Sequence, residues 1–553
     1  MIVARPTEFA AVRGLAAPFA KPHLVGIGGS GMQSLAALLR DLGCRVTGSD
    51  ARFAGGHCES HVPVDCDALV YSPAIPPDNP ERTAAAALGI PQLSLVDVLA
   101  LLMQSRTGVC IAGTHGKSTT TALTAWILRH AGRDPSAFIG ASLPVGQAFQ
   151  PDRSRIRENS AVSEAARQNS HEFCYSIGQA GKPDLRGGWA GSGELFVVES
   201  CEYRRHFLQF SPEHAVILNI EPDHFDTFPD EAALLDGFRQ FAARVPASGT
   251  LLVNGDCERC HSIVEGVGCP EFNFPPRSSD KLNALNGKLN SGHPTPTLPL
   301  ETFGSTPGCD WRFADVECSR IRENSAVGLS HSRILTNSAT GTQFLVLHRN
   351  RPVVRIESPL FGTHNVYNAL AAAALCLRLG VSAAEVRDAV RSFPGISRRF
   401  APLGEWRGMA VFADYAHHPT AVRVTLETAR QRFGRRRVWC VFQPHQLLRT
   451  QRLMDEFAAA LALADCVLIP PVYAARETAS GDCERVSKLL VECTTARMAS
   501  SESCRLCASL DHVLPTLEDE ARPGDVVILM GAGDIERIGH ELAGRIPRDH
   551  AGR

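Results

Sequence analysis

The chain of 553 residues lacks the features that indicate a membrane protein or a nucleic-acid binder. It has no apolar run long enough to span a bilayer. Residues 1–20, which we interpret as an N-terminal extension, carry charges within a mildly apolar stretch and make a poor signal peptide. The formal net charge of −2 gives no argument for nucleic acid or a membrane surface as a partner. We therefore expect a cytoplasmic protein with no membrane insertion and no nucleic-acid ligand.

The 18 cysteines lack the spacing of a zinc ribbon. Two pairs have the CxxC spacing, Cys257/Cys260 and Cys504/Cys507, but they lie far apart in the sequence. A zinc ribbon needs its two pairs within about 15–20 residues of each other. We interpret the cysteines as ordinary reduced thiols of a cytoplasmic protein.

Lysine is scarce, since only six of the 56 basic Lys and Arg residues are lysines. One of them, Lys117, lies in a Gly-rich turn between an apolar run at 109–112 and a helix-compatible segment at 122–130. In a strand–loop–helix, backbone N–H groups and the helix N-terminus favour phosphate oxygens, Lys117 adds a charge near the transferred phosphate, and Ser118 can offer its hydroxyl to Mg²⁺. Ile111 replaces the first glycine of the usual pattern, so a plain Gly-Lys-Ser turn is the alternative. We favour nucleotide binding by Gly113, Thr114, His115, Gly116, Lys117, Ser118 and Thr119.

Near the N-terminus, a short strand breaks into glycines before a helix pattern. Gly26, Gly28 and Gly31 satisfy the dinucleotide fingerprint, and Asp50 lies near where a ribose-binding acid is expected. Such a turn makes room for a diphosphate, and both NAD and a UDP-sugar contain one. The motif is therefore compatible with an NAD-dependent oxidoreductase and with an enzyme that binds a UDP-sugar. Residues 20–104 read as one small α/β unit.

Two further strands end in side chains suited to a metal. Glu199 lies at the end of the apolar strand 194–200, and His224 follows the strand 214–220. Ligands of open α/β sheets lie at the carboxyl ends of strands, so both residues are expected near Ser118. A surface glutamate and a helix cap at Asp223 are the alternatives. We favour the metal interpretation, because a carboxylate and an imidazole beside a triphosphate suit metal-assisted phosphoryl transfer.

The C-terminal part alternates strands and helices from Arg398 onward, which predicts a doubly wound domain. Polar clusters follow its strands at 414–419, 443–450 and 531–534, and we interpret them as one binding edge. Before this domain, Asn365 and Asn368 share one face of an Ala-rich helix. They either cap the N-terminus of this helix and add a polar position to its surface, or they contact adenine or ribose.

Two segments read as loosely ordered insertions, about 151–190 and about 270–335. The nine residues SRIRENSAV occur in both, at 154–162 and again at 319–327. A single duplication at this distance is not a repeat architecture.

With these residues assembled, the chain resembles the Mur ligase family, the ATP-dependent amide ligases of peptidoglycan synthesis. The resemblance covers nearly everything except residues 1–20 and the two insertions. The order of the motifs carries it: GIGGSGM (26–32), GTHGKST (113–119), EPDHFDT (221–227), GTHNVYNA (362–369), SRRF (397–400), DYAHHPT (414–420), QPHQLLRT (443–450) and MGAGDI (530–535).

The resemblance implies three α/β domains and a reaction. A Rossmann-like UDP-binding domain is expected at 21–104, a P-loop ATPase-like domain at 105–396, and a Rossmann-like closing domain at 397–553. ATP and Mg²⁺ are the implied cofactors, and UDP-N-acetylmuramate and L-alanine the implied substrates, joined through an acyl phosphate. A monomer or weak homodimer is expected.

The resemblance also implies roles for individual residues. The residues expected to hold the UDP-sugar are Gly28, Ser30, Gly31, Met32, Asp50 and Ser72. Metal ligands are expected at Ser118, Glu199 and His224, and further nucleotide contacts at Asn365, Arg399 and Asp414. The acyl-acceptor side is expected at His418, His445 and Arg449, and the catalytic set is Lys117, His224, His418 and Arg449.

Two departures from the family pattern keep alternatives open. The stretch 200–205 after Glu199 differs from the usual acidic one, and Gln446 replaces an arginine that is frequent in the family. The alternatives are a murein tripeptide ligase, an ATP-binding scaffold without catalysis, and the oxidoreductase. The sequence of the segment 443–450 argues against the murein tripeptide ligase. An oxidoreductase would give Lys117 no role.

Overall fold

The computed structural model of the chain describes residues 19–53, 55–145, 184–264, 300–318, 341–475, 477 and 482–545. Three sheets organise these residues, and each falls inside one of the predicted domain ranges. The predicted α/β class is confirmed, while the domain boundaries stay a prediction. None of the helices in these ranges is long and apolar enough to cross a membrane.

The first sheet has four parallel strands in the order β2-β1-β3-β4. Its strands are β1 Pro22–Val25, β2 Thr47–Ser49, β3 Ala68–Tyr71 and β4 Gln92–Ser94, and its helices are α1 Ser30–Asp41, α2 Pro80–Ala87 and α3 Leu95–Met103. Helix α1 begins at Ser30, so Gly26 and Gly28 precede the helix and Gly31 lies in its first turn. The N-terminal extension lies outside the described residues except for its last two positions, and of these Phe19 is buried in the core.

The central sheet has ten strands in the order β14-β13-β12-β11-β10-β9-β5-β8-β6-β7. Its first five strands are β5 Thr107–Ala112, β6 Ser136–Val145, β7 Asp184–Trp189, β8 Leu195–Glu199 and β9 His214–Ile217. The next five are β10 Thr250–Asn254, β11 Leu300–Gly304, β12 Trp311–Cys318, β13 Thr342–His348 and β14 Arg351–Ser358. Its helices are α4 Lys117–His130, α5 Glu231–Ala242, α6 Glu258–Val264, α7 Thr363–Arg378 and α8 Ala383–Arg391.

The expectation that the two predicted insertions are loosely ordered is wrong for part of each, because three of these strands lie within them. Strand β7 falls in the range 151–190, and β11 and β12 fall in 270–335. Trp189, Phe303 and Trp311 are buried there, and the strands pair with β6, β10 and β13. This order depends on distant partners, which local composition does not reveal. Both SRIRENSAV copies lie outside the described residues.

The third sheet has six strands in the order β15-β16-β20-β17-β18-β19, with only β15 antiparallel. Its strands are β15 Ala401–Trp406, β16 Met409–Asp414, β17 Val438–Phe442, β18 Cys466–Ile469, β19 Cys504–Leu506 and β20 Val526–Met530. Its helices are α9 Pro419–Phe433, α10 Leu447–Arg452, α11 Met454–Leu461, α12 Asp482–Thr495, α13 Val513–Glu520 and α14 Glu536–Arg545. Hydrophobic clusters cover both faces of this sheet, so it forms a doubly wound layer as predicted.

Candidate functional site

The phosphate loop connects β5 to α4 through two glycines with left-handed backbone. Gly113 has φ +132° and Gly116 has φ +82°. A Cβ at Gly113 would lie 3.1 Å from the backbone of Asn219, and one at Gly116 would collide with the side chain of Asn368. Both the conformation and the close approach therefore require glycine.

Asn219, just past β9, holds this loop in place. Its Oδ1 accepts from the His115 amide at 2.7 Å, and its Nδ2 donates to the His115 carbonyl at 3.1 Å. Its own carbonyl accepts from the Thr114 amide at 3.0 Å. The loop is thus fixed before any ligand arrives, with its last residues opening helix α4.

Lys117, the first residue of α4, folds back over the loop. Its ammonium donates to the carbonyls of Gly113 at 2.5 Å and Thr114 at 3.1 Å, and to Glu202 Oε2 at 2.9 Å. Burial alone would lower the pKa of Lys117, but the Glu202 carboxylate outweighs it and raises the pKa above its ordinary value. The ammonium is therefore charged where a terminal phosphate would meet it.

Ser118 and Glu199 meet as the sequence predicts. The Ser118 hydroxyl donates to Glu199 Oε1 at 2.8 Å, and the Gly140 amide donates to Glu199 Oε2 at 2.6 Å. Ser118 is 5% exposed. A hydroxyl and a carboxylate are hard oxygen donors, which suit Mg²⁺.

His224 lies beside Glu202, the carboxylate that pairs with Lys117. Its Nε2 is 3.8 Å from Glu202 Oε1, and its backbone is left-handed with φ +52°. Possible ligand atoms of Cys201, Glu202 and His224 all lie within 4.8 Å of one another. His224 thus reaches the same cluster as Lys117, through Glu202.

Glu202 is a functional residue that sequence reasoning missed. It is 2% exposed, and it faces both Lys117 and His224. The available signal was a second carboxylate three residues after Glu199. The fold of this stretch could not be foreseen, because Arg204 and Arg205 both adopt left-handed backbone.

The segment after β9 also contacts the third sheet's side of the molecule. Glu221 Oε2 accepts from the Thr420 hydroxyl at 2.5 Å and lies 3.6 Å from His418 Nδ1 and 3.4 Å from His115 Nε2. Burial opposes ionisation of Glu221, but hydrogen bonds from His115 and Thr420 lower its pKa to about 2. Burial and the neighbouring His115 lower the pKa of His418 to about 4, so this imidazole is neutral near pH 7. These groups could also hold a cation.

Arg449 forms a buried ion pair with Asp223. Its Nε donates to Asp223 Oδ1 at 2.7 Å, and both side chains are nearly fully buried. Its Nη1 lies 3.4 Å from His445 Nδ1, and the His445 ring stacks on Tyr473. The predicted acceptor-side residues are thus brought together, with Asp223 as a partner that the sequence interpretation had considered only as a helix cap.

The other predicted nucleotide contacts make internal hydrogen bonds. Asn365 donates to the Phe361 carbonyl at 2.7 Å and accepts from Asn368 at 3.1 Å. The Asp414 carboxylate accepts from the Phe400 amide at 2.7 Å, and burial raises its pKa. Arg399 lies over the Tyr415 ring, 5.4 Å from its centroid. Their contact with a nucleotide stays a prediction.

The predicted UDP site is partly assembled in the first sheet. The Gly28 amide donates to Asp50 Oδ2 at 2.9 Å, and Arg52 Nε donates to Asp50 Oδ1 at 2.9 Å. The Ser72 amide donates to the Val25 carbonyl at the end of β1, which places Ser72 beside the glycine turn.

Helix α1 contains three of the residues predicted to hold the UDP-sugar, and their contact with it stays a prediction. Ser30 is exposed at the start of α1, and Gly31 follows it. Met32 is 2% exposed and packs in the hydrophobic core, because it faces inward from α1. Its side chain cannot hold the sugar, which leaves only its backbone for such a contact.

Comparisons with known proteins were made for the whole chain. Three family profiles match it, described as Mur ligase family, catalytic domain (residues 21–107), Mur ligase middle domain (111–291) and Mur ligase, glutamate ligase domain (398–533). The UDP-N-acetylmuramate–L-alanine ligase of Acetivibrio thermocellus is 32% identical over 536 residues, covering 94% of this chain and 95% of that relative. The ligase of the same name from Anaeromyxobacter sp. is 34% identical over 546 residues, covering 95% and 97%.

A solved structure is similar along the full length. The crystal structure of the UDP-N-acetylmuramate–alanine ligase from Thermotoga maritima matches with a TM-score of 0.66 at 22% identity. The match covers 95% of this chain and 99% of that one. At this identity the likeness shows a shared fold.

Proposed function

Because the chain belongs to the Mur ligase family, we propose that it joins L-alanine to the lactyl carboxylate of UDP-N-acetylmuramate at the expense of ATP. The product would be a peptidoglycan precursor. The observation that carries this proposal is the buried ammonium of Lys117, held between the phosphate-loop carbonyls and Glu202. The names of the relatives at 32% and 34% identity support the choice of substrates.

The first chemical step makes a poor electrophile reactive. A lactyl carboxylate oxygen attacks the γ-phosphorus of ATP, the bond from that phosphorus to the bridging oxygen breaks, and ADP leaves. The product is a mixed anhydride, the acyl phosphate. Lys117 stabilises the charge on the transferred group, and the fixed amides of the loop orient the triphosphate.

The second step uses the acyl phosphate. The alanine amine attacks the carbonyl carbon, the tetrahedral intermediate expels inorganic phosphate, and the amine loses a proton. A neutral histidine can accept this proton, and we assign this role to His418, whose pKa of about 4 leaves its imidazole neutral. Arg449 suits the alanine carboxylate, because one side of its guanidinium is already fixed by Asp223.

Mg²⁺ fits the oxygen donors of this site. Ser118 and Glu199 would hold one ion and His224 a second, and Glu202 is a further acidic group beside His224. When bound, the ion neutralises charge on the phosphate oxygens. Asn365, Arg399 and Asp414 would surround the rest of the nucleotide.

The diphosphate of the sugar nucleotide would lie at the glycine turn before α1. Gly28, Ser30 and Gly31 leave backbone room there, and Asp50 and Ser72 flank it. His445 would line the acceptor side with Arg449. The cytoplasmic location and the monomer or weak homodimer stay predictions.

A phosphate-release assay tests the function. We expect purified protein with Mg-ATP to release phosphate only when UDP-N-acetylmuramate and an amino acid are both present, with alanine compared against serine and glycine. Release with a murein tripeptide in place of alanine would favour the recycling ligase. If no phosphate is released under any of these conditions, the result would favour an ATP-binding scaffold without catalysis. Binding of NAD(P)H would favour the oxidoreductase.

A further inference from the structure

The cysteine pair Cys257/Cys260 lies next to the candidate site, although the proposed reaction does not use it. Cys257 follows β10 and Cys260 lies in the first turn of α6, with the Cys260 amide donating to the Cys257 carbonyl at 3.0 Å. Cys257 is partly exposed, whereas Cys260 is fully buried. The backbone bond between them holds the two cysteines within one turn of the chain.

The two thiols differ in reactivity as an attacking and a resolving thiol should. The hydrogen bond from Cys260 outweighs burial and lowers the pKa of Cys257 to about 6. Burial raises the pKa of Cys260. By contrast, burial raises the pKa of Cys110 and Cys201 to about 12, which keeps those thiols inert.

The pair is bonded to the segment that carries the site. Asn254, at the end of β10, donates through Nδ2 to the Leu218 carbonyl at 2.8 Å. The Cys257 amide donates to the Asn254 carbonyl at 3.4 Å. Glu221, Asp223 and His224 follow Leu218 closely along the chain. A change at Cys257 therefore acts on the backbone that positions them.

We propose that Cys257 and Cys260 form a redox-active dithiol, which small disulfides of the glutathione class convert to an intramolecular disulfide that lowers ligase activity. The Cys257 thiolate attacks one sulfur of the small disulfide, forms a mixed disulfide and releases one thiolate. Cys260 then loses its proton and attacks the Cys257 sulfur, which releases the second thiolate. Two small thiols are formed for each protein disulfide, so electrons balance.

Peptide mapping tests the site without reference to activity. The full-length protein is incubated with oxidised glutathione, its free thiols are alkylated, and it is digested with trypsin. Cleavage after Arg259 separates the two cysteines into peptides 245–259 and 260–277, so a Cys257–Cys260 disulfide joins two peptides that are otherwise separate. We expect the joined pair in the oxidised protein and its loss on reduction.

Two variants identify the partner, because Cys269 lies on the same peptide as Cys260. We expect Cys269→Ser to keep the joined peptides and Cys260→Ser to lose them. Joined peptides that persist in Cys260→Ser, or that never form in the unaltered protein, would overturn the proposal.

The effect on activity rests on the proposed function, and it has its own readout. We expect oxidation to lower ATP-dependent phosphate release about tenfold, within the usual range for coupling between sites. Dithiothreitol should restore the activity, and Cys257→Ser should be active and insensitive to oxidised glutathione. Joined peptides with unchanged activity would refute the coupling. An inactive reduced protein would instead refute the proposed function and leave the peptide result standing.

Discussion

At the scale of single residues, Glu202 explains how the Lys117 ammonium stays charged in the loop before α4 when no nucleotide is bound. Lys117 is 12% exposed and Glu202 3% exposed, so water screens this pair poorly. A bound triphosphate would offer the same ammonium a second anionic partner. Glu202 therefore holds Lys117 in position before the nucleotide arrives, and we expect it to matter most in the empty enzyme.

Replacing Glu202 by Gln should therefore destabilise the enzyme in a ligand-dependent way. Removing one partner of a buried ion pair costs about 3–5 kcal/mol, because the other charge is left without compensation. We expect Glu202→Gln to lower the melting temperature without ligand, and Mg-ATP to recover most of the loss. Thermal melts with and without Mg-ATP measure this.

The matched control for that experiment is Glu427→Gln, which breaks an exposed ion pair to Arg423. It should change the stability by less than about 1 kcal/mol in either state. Equal losses for Glu202→Gln with and without Mg-ATP would contradict the role given to Glu202.

Lys117 itself should be needed for turnover. We expect Lys117→Ala to lower the rate of phosphate release by at least about 10²-fold, since one buried donor to the transition state is lost. Lys117→Ala should also lower the stability, because it leaves the buried Glu202 carboxylate without its ammonium partner. The rates are therefore compared at a temperature at which circular dichroism shows both proteins folded. Lys488→Ala, at an exposed position of α12, is the control and should keep full activity. An active Lys117→Ala enzyme would disprove the assignment.

His418 should make stability depend on pH in a defined window. Burial and His115 lower its pKa to about 4, so the unfolded chain, with a pKa near 6.5, takes up the proton first as pH falls. The free energy of unfolding should then decrease from about pH 6.5 down to about pH 4, with His418 contributing on the order of 3 kcal/mol.

Urea unfolding across that window measures the effect. We expect His418→Asn to reduce the pH dependence without abolishing it, because burial also lowers the pKa of His364 to about 4 and that of His417 well below its ordinary value. Asn can replace the bond that His418 accepts from the Thr420 amide at the start of α9. His540→Asn, at an exposed histidine, should leave the pH dependence unchanged. An identical slope for His418→Asn and the unaltered protein would show that His418 is not the titrating group.

At the scale of elements, the sequence predicts most of the site through one rule about parallel sheets. Ser118, Glu199 and His224 were expected together because each follows a buried strand. The structure brings Ser118 to 2.8 Å from Glu199, whereas His224 lies 3.8 Å from Glu202. The rule fails for Glu202, whose position depends on two left-handed residues in an irregular turn. It also cannot reveal β7, β11 and β12, whose order depends on strands distant in the sequence.

The turn before α4 should tolerate no side chain at Gly116. Gly116→Ala adds a methyl group that collides with Asn368, in addition to the cost of a left-handed backbone, about 1–2 kcal/mol. We expect much weaker ATP binding by calorimetry. Gly132→Ala, at the other end of the same helix, has a similar φ of +70° and nothing within 4 Å of the added atom. Gly132→Ala should lose only the free energy of the left-handed backbone. Equal ATP affinities of Gly116→Ala and Gly132→Ala would therefore contradict the steric argument.

At the scale of the whole molecule, a few long-range contacts join the central sheet to the third one. Asp223 and Arg449 are 226 residues apart, and Glu221 and Thr420 are 199 apart. The sequence indicated that both sides contribute polar groups. It could not indicate which groups pair, because no local pattern connects residues so distant along the chain.

The Asp223–Arg449 pair should therefore govern the use of the amino acid more than binding of the sugar nucleotide. Asp223→Asn leaves the Arg449 guanidinium without its buried counter-charge, so the arginine is freed to reorient. We expect kcat/KM for alanine to fall about 10- to 100-fold, while the affinity for UDP-N-acetylmuramate changes little, since its expected site lies in the first sheet. Steady-state kinetics and calorimetry measure the two quantities. Asp455→Asn, which breaks an exposed pair with Arg497, should alter neither. An equal loss of sugar-nucleotide affinity would mean that the pair stabilises the whole assembly rather than the acceptor side, because only the acceptor side contacts Arg449 in the proposed arrangement.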